Sequence, residues 1–304
     1  MSDIKLFQSK DNVVIELPAQ SASIEKSLQQ QLEANLDAYL GVRFLASEYA
    51  TGKVHGGRID TLGIDENGCP VIIEYKRSLN ENVMNQGLFY LDWLMDHKAE
   101  FELLVLKQLD KEASESIEWS SPRLLCIAGD FTKYDEHAVQ QINRNIELIR
   151  YRRYGDNLLL LELVNATTAT ENAEHKIKTS NRGKGHEKTG RESLERFPQK
   201  LKDLFESLRA FVTALGDDVQ EKTLKNYIAF KRFKNFACID PHPSQGKLLV
   251  FTKVNPDSIK LEEGFTRDVR GIGHWGTGDL EVTIQSMDDL EKAKPLLIKS
   301  YEVS

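Results

Sequence analysis

Gly56-Gly57-Arg58-Ile59-Asp60-Thr61-Leu62-Gly63-Ile64-Asp65-Glu66-Asn67-Gly68-Cys69-Pro70-Val71-Ile72-Ile73-Glu74-Tyr75-Lys76 is the stretch on which the fold turns. Two short β-rich runs flank Asp65-Glu66-Asn67-Gly68, and the Asn-Gly step is a strong hairpin signal. Glu74 and Lys76 stand two apart, so on a strand they project from one face. Asp60 lies on the first run, close enough to face them across the pair. Two carboxylates and an ammonium at the end of apolar strands are costly to desolvate unless they pair or hold a metal.

Register decides whether the three groups meet. A two-residue Asn67-Gly68 loop would pair Glu66 with Cys69, and hence Asp60 with Tyr75, placing Asp60 on the face opposite Glu74. A three-residue loop or a bulge shifts the pairing by one and sets Asp60 across from Glu74.

Outward from this hairpin, Val13-Val-Ile-Glu-Leu17 reads as a lone edge strand. Ile24, Leu28, Leu32, Leu36 and Leu40 recur every four residues and predict one helix, with Ser21 or Ser23 able to cap it and Gly41 ending it. Arg43 to Ala50 predicts a strand. Ser78-Leu-Asn-Glu81 has the form of a capping box for a helix carrying Val83, Leu88, Leu91, Leu94 and Met95. Gln86, Tyr90, Trp93 and His97 make a neighbouring stripe on that helix. Further on, the pattern predicts a helix over 100–109, a buried strand over 123–129 and a helix over 134–142. A hairpin of 146–154 and 158–164 turns about Gly155-Asp156-Asn157.

Residues 166–193 are polar with almost no large apolar side chain, the composition of a flexible linker that packs against neither neighbour. A second domain, residues 194–304, opens with an amphipathic helix over 201–215. Strands follow at 227–230, 236–239, 247–254 and 280–285, then a helix behind Ser286-Met-Asp-Asp289. Gly271-Ile-Gly273-His-Trp-Gly276 fits the dinucleotide-binding spacing, but strand-like residues follow it, so a glycine-rich loop is expected. Phe230-Lys-Arg-Phe233-Lys-Asn-Phe236 interleaves basic and aromatic residues, as a single-strand-binding surface does and as a β element burying its aromatics also does.

The 304 residues suffice for two domains, and 40% hydrophobic with 29% charged residues describes an ordinary globular chain. No apolar run approaches a membrane span, and Met-Ser-Asp-Ile-Lys lacks the layout of a signal peptide. Cys69, Cys126 and Cys238 are widely spaced and read as reduced residues of a cytoplasmic protein. The seven His residues show no zinc spacing. Net charge is −7, and residues 1–165 hold 17 Lys and Arg against 26 Asp and Glu, a balance of −9. That counts against broad electrostatic binding of nucleic acid and leaves a local patch, with Arg150, Arg152 and Arg153 as candidates.

Asp60, thirteen residues, then Glu74-Tyr75-Lys76 resembles the PD-(D/E)XK nuclease superfamily. Gly-Arg-Ile-Asp and Val-Ile-Ile-Glu-Tyr-Lys-Arg look like its two core strands. Gln86 and Tyr90 form Gln-x-x-x-Tyr, similar to the RecB-like branch. Glu25-Lys-Ser-Leu-Gln with Leu32-Glu33-Ala-Asn35 looks like the first helix of NucS-type endonucleases. The resemblance spans roughly residues 20–165. It implies an α/β restriction-endonuclease-like domain over 1–165, a mixed central sheet flanked by helices, ahead of the smaller α+β accessory domain. The latter resembles a family of unknown function found behind such nucleases and sometimes labelled a transport protein, on Tyr227-Ile-Ala-Phe-Lys-Arg-Phe, Asn235-Phe-Ala and Lys299-Ser-Tyr.

The implied chemistry is metal-dependent hydrolysis of a DNA phosphodiester, an endonuclease of repair or defence. Asp60, Glu74 and the Tyr75 carbonyl would hold Mg²⁺ (or Mn²⁺) through hard oxygen ligands. Lys76 would orient or deprotonate the attacking water. Glu25, or in its place Glu33, would add a helix carboxylate, while Gln86 and Tyr90 would steady Lys76 or a phosphate. The expected partner is DNA, with a homodimer compatible with the resemblance. Two alternatives stay open: a catalytically silent nucleic-acid-binding module of this fold, and a ligand- or protein-binding role seated in the second domain.

Overall fold

A computed structural model of the chain describes residues 4–20, 25–52, 56–76, 83–155, 157–167 and 197–304, without the side chains of residues 20 and 25. The chain divides into two compact units, Met1–Thr170 and Glu171–Ser304. The expected capping box at Ser78–Glu81, the caps at Ser21 and Ser23, and the linker from residue 168 onward lie outside the described residues.

The first unit begins with β1 (Leu6–Lys10) and β2 (Val13–Leu17), which pair with each other antiparallel in a two-stranded sheet. Asp11 and Asn12 join them at φ +50° and +61°, the left-handed pair that suits a tight hairpin. The expected lone edge strand is thus half of a hairpin whose first strand carries too little apolar periodicity to announce itself. After β3 (Ala19–Gln20), the expected single helix is two: α1 (Glu25–Glu33) and α2 (Leu36–Leu40). Asn35 breaks the run at φ −141°, ψ 36°, in keeping with the poor helix propensity of Asn, while Leu28, Leu32, Leu36 and Leu40 all remain buried. Gly41 ends α2 at φ +62° and donates its N–H to the Asp37 carbonyl.

The central sheet follows. Strands β4 (Val42–Ala50), β5 (Arg58–Asp65) and β6 (Pro70–Lys76) form an antiparallel meander. Helices α3 (Val83–Asp96), α4 (Lys98–Gln108) and the short α5 (Lys111–Glu115), which the sequence pattern did not predict, carry the chain to β7 (Arg123–Ala128). β7 lies parallel to β6; α6 (Lys133–Gln140) then leads to β8 (Asn145–Tyr154), parallel to β7. β9 (Leu158–Thr167) returns antiparallel on β8, and β3 pairs with the end of β8. The strand order is β3-β8-β7-β6-β5-β4, a mixed seven-stranded sheet once β9 is counted.

Alternation sorts the sheet's residues. Leu62, Ile64, Ile72, Leu124, Cys126, Ile146 and Leu148 join Tyr90, Trp93, Leu94, Phe101 and Val105 of α3 and α4 in one core. Val71, Ile73, Tyr75, Leu125 and Ile127, equally buried, point the other way. On that second side the Thr61 hydroxyl donates to Glu33 of α1, 2.5 Å.

The second unit packs α7 (Gln199–Thr213) and α8 (Met287–Glu302) on one face of an antiparallel sheet ordered β10-β11-β12-β13-β15-β14. Its strands are Gln220–Thr223, Ile228–Lys231, Asn235–His242, Lys247–Thr252, Thr266–Asp268 (β14) and Leu280–Ile284 (β15). Ser286 caps α8, accepting from the Asp289 N–H at 3.1 Å. Gly271, Gly273 and Gly276 lie in the loop before β15, as expected, and Gly276 at φ +82° passes so close to Cys238 that a Cβ there would sit 2.5 Å from it.

Both units are thus mixtures of helix and sheet, and no helix among the described residues is long and apolar enough to cross a membrane. All three cysteines are free thiols and buried.

Candidate active site

The site is assembled by the turn between β5 and β6. Asp65 closes a three-residue loop: its N–H donates to the Cys69 carbonyl at 2.9 Å, and its Oδ1 accepts from the N–H groups of Asn67 and Cys69, both at 2.9 Å. Gly68 sits at φ +76°, where a Cβ would lie 2.9 Å from the Ser116 carbonyl oxygen. The other Asp65 oxygen takes Arg123 Nη1 of β7 at 2.9 Å, and Arg123 also grips Glu147 of β8 with two hydrogen bonds of 2.8 and 2.9 Å. All three side chains are buried, so each charge depends on the others to remain there.

This turn sets the register Ile64↔Pro70, Gly63↔Val71, Leu62↔Ile72 and Thr61↔Ile73. Continued by one pair, it places Asp60 across from Glu74, the shifted pairing that a common face requires. At that point side chains replace the backbone ladder. The Asp60 N–H donates to Glu74 Oε1 at 3.2 Å, and the Tyr75 N–H donates to Asp60 Oδ2 at 3.0 Å. Lys76, two residues beyond Glu74 at the mouth of the strand, is half-buried and its charge reaches both carboxyl groups.

Glu74 has no exposed surface, and its Oε2 has no hydrogen-bond partner. Burial, and after it the Asp60 charge, pushes its carboxyl up to about 9; burial raises Asp60 as well, against the pull of the Tyr75 N–H and Lys76. In the metal-free protein the pair therefore holds a proton near neutral pH. Two adjacent hard-oxygen groups, one with an unpartnered buried oxygen, are donors of the kind a divalent cation takes. No trio of His, Cys, Asp and Glu among the described residues forms a complete metal cage. That is the norm for Mg²⁺, which keeps waters and uses one or two carboxylates with the substrate's own phosphate.

Tyr90 and Gln86 meet the site through its backbone. The Tyr90 hydroxyl accepts from the Arg58 N–H at 3.0 Å and from Gln86 Nε2 at 3.3 Å. Gly57 makes room for it: a Cβ at Gly57 would lie 2.6 Å from the Tyr90 ring. The pair thus pins the entry to β5, two residues ahead of Asp60. From the other side Gln29 of α1 donates to the Asp60 carbonyl at 2.8 Å. Glu33 accepts from Thr61 and Gln29 and faces Tyr75, away from Glu74, while the Glu25 side chain lies outside the described residues.

One acidic residue near the site was not legible in the sequence. Glu48 stands opposite Asp60 on β4, between the pairs Ser47↔Thr61 and Tyr49↔Ile59, and its charge bears on Asp60. Its backbone is left-handed, φ +53°, a conformation that costs a residue such as Glu about 1 kcal/mol. Its carboxylate binds Lys26 Nζ at 2.9 Å and Arg58 Nε at 2.6 Å, which hold its pKa below the usual carboxylate range. Exposed pairs of this kind contribute about 0–1 kcal/mol each, so stability alone scarcely accounts for the arrangement. The only sequence signal was a lone charge in a strand, and register alone gives it a neighbour.

The structure bears on two of the sequence readings. Arg150 is buried, with its guanidinium on Asp130 at 2.8 Å and Glu162 at 3.0 Å, and Arg153 donates to Gln31 at 2.6 Å. Arg150 is therefore spent on internal partners, because neighbouring β9 and the β7–α6 loop bring carboxylates to it, while Arg152 stays half-buried. In the second unit Phe230 and Phe236 are fully buried in the core, and Arg232 lies over Tyr301 and pairs with Asp218 at 2.6 Å. Two of the run's three aromatics are thus spent on the core, and Phe233 is half-buried.

Comparison with known proteins adds the following. The family described as a domain of unknown function (DUF5655) matches residues 192–304. An uncharacterized protein of Haemophilus influenzae (strain ATCC 51907 / DSM 11121 / KW20 / Rd) is 28% identical over 308 residues, covering 97% of this chain and 98% of that protein. Among solved structures, one of an EndoMS–dsDNA2 complex is similar at a TM-score of 0.24 and 17% identity, over 47% of this chain and 49% of that chain. A likeness of that size leaves fold and activity to be argued from the residues themselves.

Proposed function

We propose that the first unit is a nuclease domain of the restriction-endonuclease-like kind that hydrolyses a DNA phosphodiester with Mg²⁺ or Mn²⁺. The observation that carries the reading is the hairpin register: it brings Asp60 beside a fully buried Glu74 with one unpartnered oxygen and leaves Lys76 on the same face. The sheet supports it, with an antiparallel β4-β5-β6 meander continued in parallel by β7 and β8.

In this reading Asp60, Glu74 and the Tyr75 carbonyl hold the cation, which when bound polarises a phosphoryl oxygen and acidifies a water. The protein's own groups do the rest. Lys76 presents an ammonium where negative charge develops on the phosphorus-bound oxygens, and it orients the attacking water. Tyr90, Gln86 and Gln29 fix the backbone of residues 58–60, so that Asp60 is held from both sides. Burial of Glu74 keeps competing water from its carboxyl.

The test is turnover of labelled single-stranded, duplex and branched DNA by the wild type, Asp60→Asn and Lys76→Ala, with Mg²⁺ or Mn²⁺. Both variants should lose at least about 100-fold in rate. Calorimetry with Mn²⁺ should show binding to the wild type and to Lys76→Ala but not to Asp60→Asn, since an ammonium is no ligand. Equal cleavage by all three proteins would expose a contaminant, and no cleavage of any substrate by the wild type would overturn the reading.

A further inference from the structure

Lys26 of α1 and Arg58 of β5 reach the same carboxylate from two elements, one on each oxygen of Glu48. Their side chains are 53% and 67% exposed, against 26% for Glu48, so the cations face outward and the anion lies beneath them. Arg58 precedes Asp60 by two residues, and Glu48 stands opposite Asp60, so the cluster adjoins the carboxylate centre. We infer that Lys26 and Arg58 are the backbone-phosphate contacts of this site, and that Glu48 is the counter-ion that occupies them until a nucleic-acid strand arrives.

The inference rests on the nuclease reading and supplies what that reading lacks. A unit with a balance of −9 over residues 1–165 must gather local cations to approach a polyanion. Arg150 of β8 cannot serve, since it is buried between Asp130 and Glu162, and neither Arg152 nor Arg153 is as exposed as Lys26 and Arg58. A phosphodiester spreads one negative charge over two oxygens. It can therefore bridge an ammonium and a guanidinium as the Glu48 carboxylate does, with the planar guanidinium fixing its orientation. Glu48 would then keep the pair from engaging small anions when no strand is present.

The experiment is the salt dependence of fluorescence-anisotropy binding of a labelled oligonucleotide, single-stranded and duplex, to the wild type, Lys26→Gln, Arg58→Gln, the double variant and Glu48→Gln. Calcium replaces magnesium so that binding is read without turnover. Each lost phosphate contact should flatten the slope of log affinity against log salt by about 0.9 on duplex and about 0.7 on single strands. Each single variant should also weaken binding about fivefold to tenfold at 0.1 M salt, and in a separate turnover assay with Mg²⁺ its KM should rise more than its kcat falls. Glu48→Gln should bind more tightly than the wild type. Arg58 is exposed enough that its replacement leaves the fold intact, and Lys26→Gln provides an independent arm. A double variant with the wild-type slope, on a wild type that does bind and cleave, would overturn the inference and leave the nuclease reading standing. A wild type that binds no nucleic acid at all would take both down.

Discussion

Replacing Glu74 by Gln should stabilise the metal-free protein, and by an amount that grows with pH. In the unfolded chain a Glu titrates at about 4.3, whereas burial and Asp60 raise this one to about 9 in the folded state. A carboxyl raised on folding binds more protons folded than unfolded. Its contribution therefore becomes less favourable as pH rises through the unfolded value, and the loss is complete above the folded one. At about 1.4 kcal/mol per unit, the loss between pH 4.3 and pH 7 is about 3–4 kcal/mol. Glutamine keeps the side chain's shape and its acceptor for the Asp60 N–H, and has no proton to lose. The assay is urea unfolding in EDTA from pH 4.5 to 9, followed by tryptophan fluorescence in a Trp275→Phe background that leaves Trp93, buried in the core of this unit, and Trp119 as reporters. The advantage of Glu74→Gln over wild type should widen by about 3 kcal/mol between pH 4.5 and 7. Mg²⁺ at a hundred times its dissociation constant should restore about 2.7 kcal/mol to the wild type and nothing to the variant. Parallel pH profiles for the two proteins would refute both the buried, protonated Glu74 and the metal reading built on it.

Other outcomes follow from single contacts. Gly57→Ala drives a methyl into the Tyr90 ring and should destabilise the unit by about 1–3 kcal/mol, with Tyr90→Phe relieving only part of it because ring carbon Cε1 clashes as well as the hydroxyl. Tyr90→Phe alone removes the acceptor for the Arg58 N–H and should cost about 1 kcal/mol, with cleavage falling more than stability if residues 58–60 shift. Arg123→Met leaves Asp65 and Glu147 buried without their cation and should cost about 3–5 kcal/mol by denaturant midpoint, partly recovered at low pH, where the carboxyls protonate.

Much of the fold was legible because its signals are local. Period-two and period-four apolar patterns located β4 to β9 and the principal helices. Gly41 and Ser286 stopped and started helices by geometry that needs no distant partner. The i, i+2 spacing was enough to put Glu74 and Lys76 on one face. Where local signals were weak the reading failed: β1 is mostly polar, α5 is a single turn, and Asn35 interrupts a leucine pattern that continues across it.

The candidate site needed the tertiary structure, because register and pairing are settled between residues far apart in the chain. Asn67-Gly68 by itself invites a two-residue turn. Asp65, held by Arg123 from 58 residues away and backed by Glu147, closes a three-residue loop instead, and only then do Asp60 and Glu74 meet. The same holds for Glu48, which neighbours Asp60 through the bulge in β4, and for Arg150, whose exposure depended on where Asp130 and Glu162 came to rest. Side-chain direction along one strand is fixed by the alternation of the backbone. Which strand faces which residue is fixed by the burial of charges that must find partners, and that balance exists only in the folded chain.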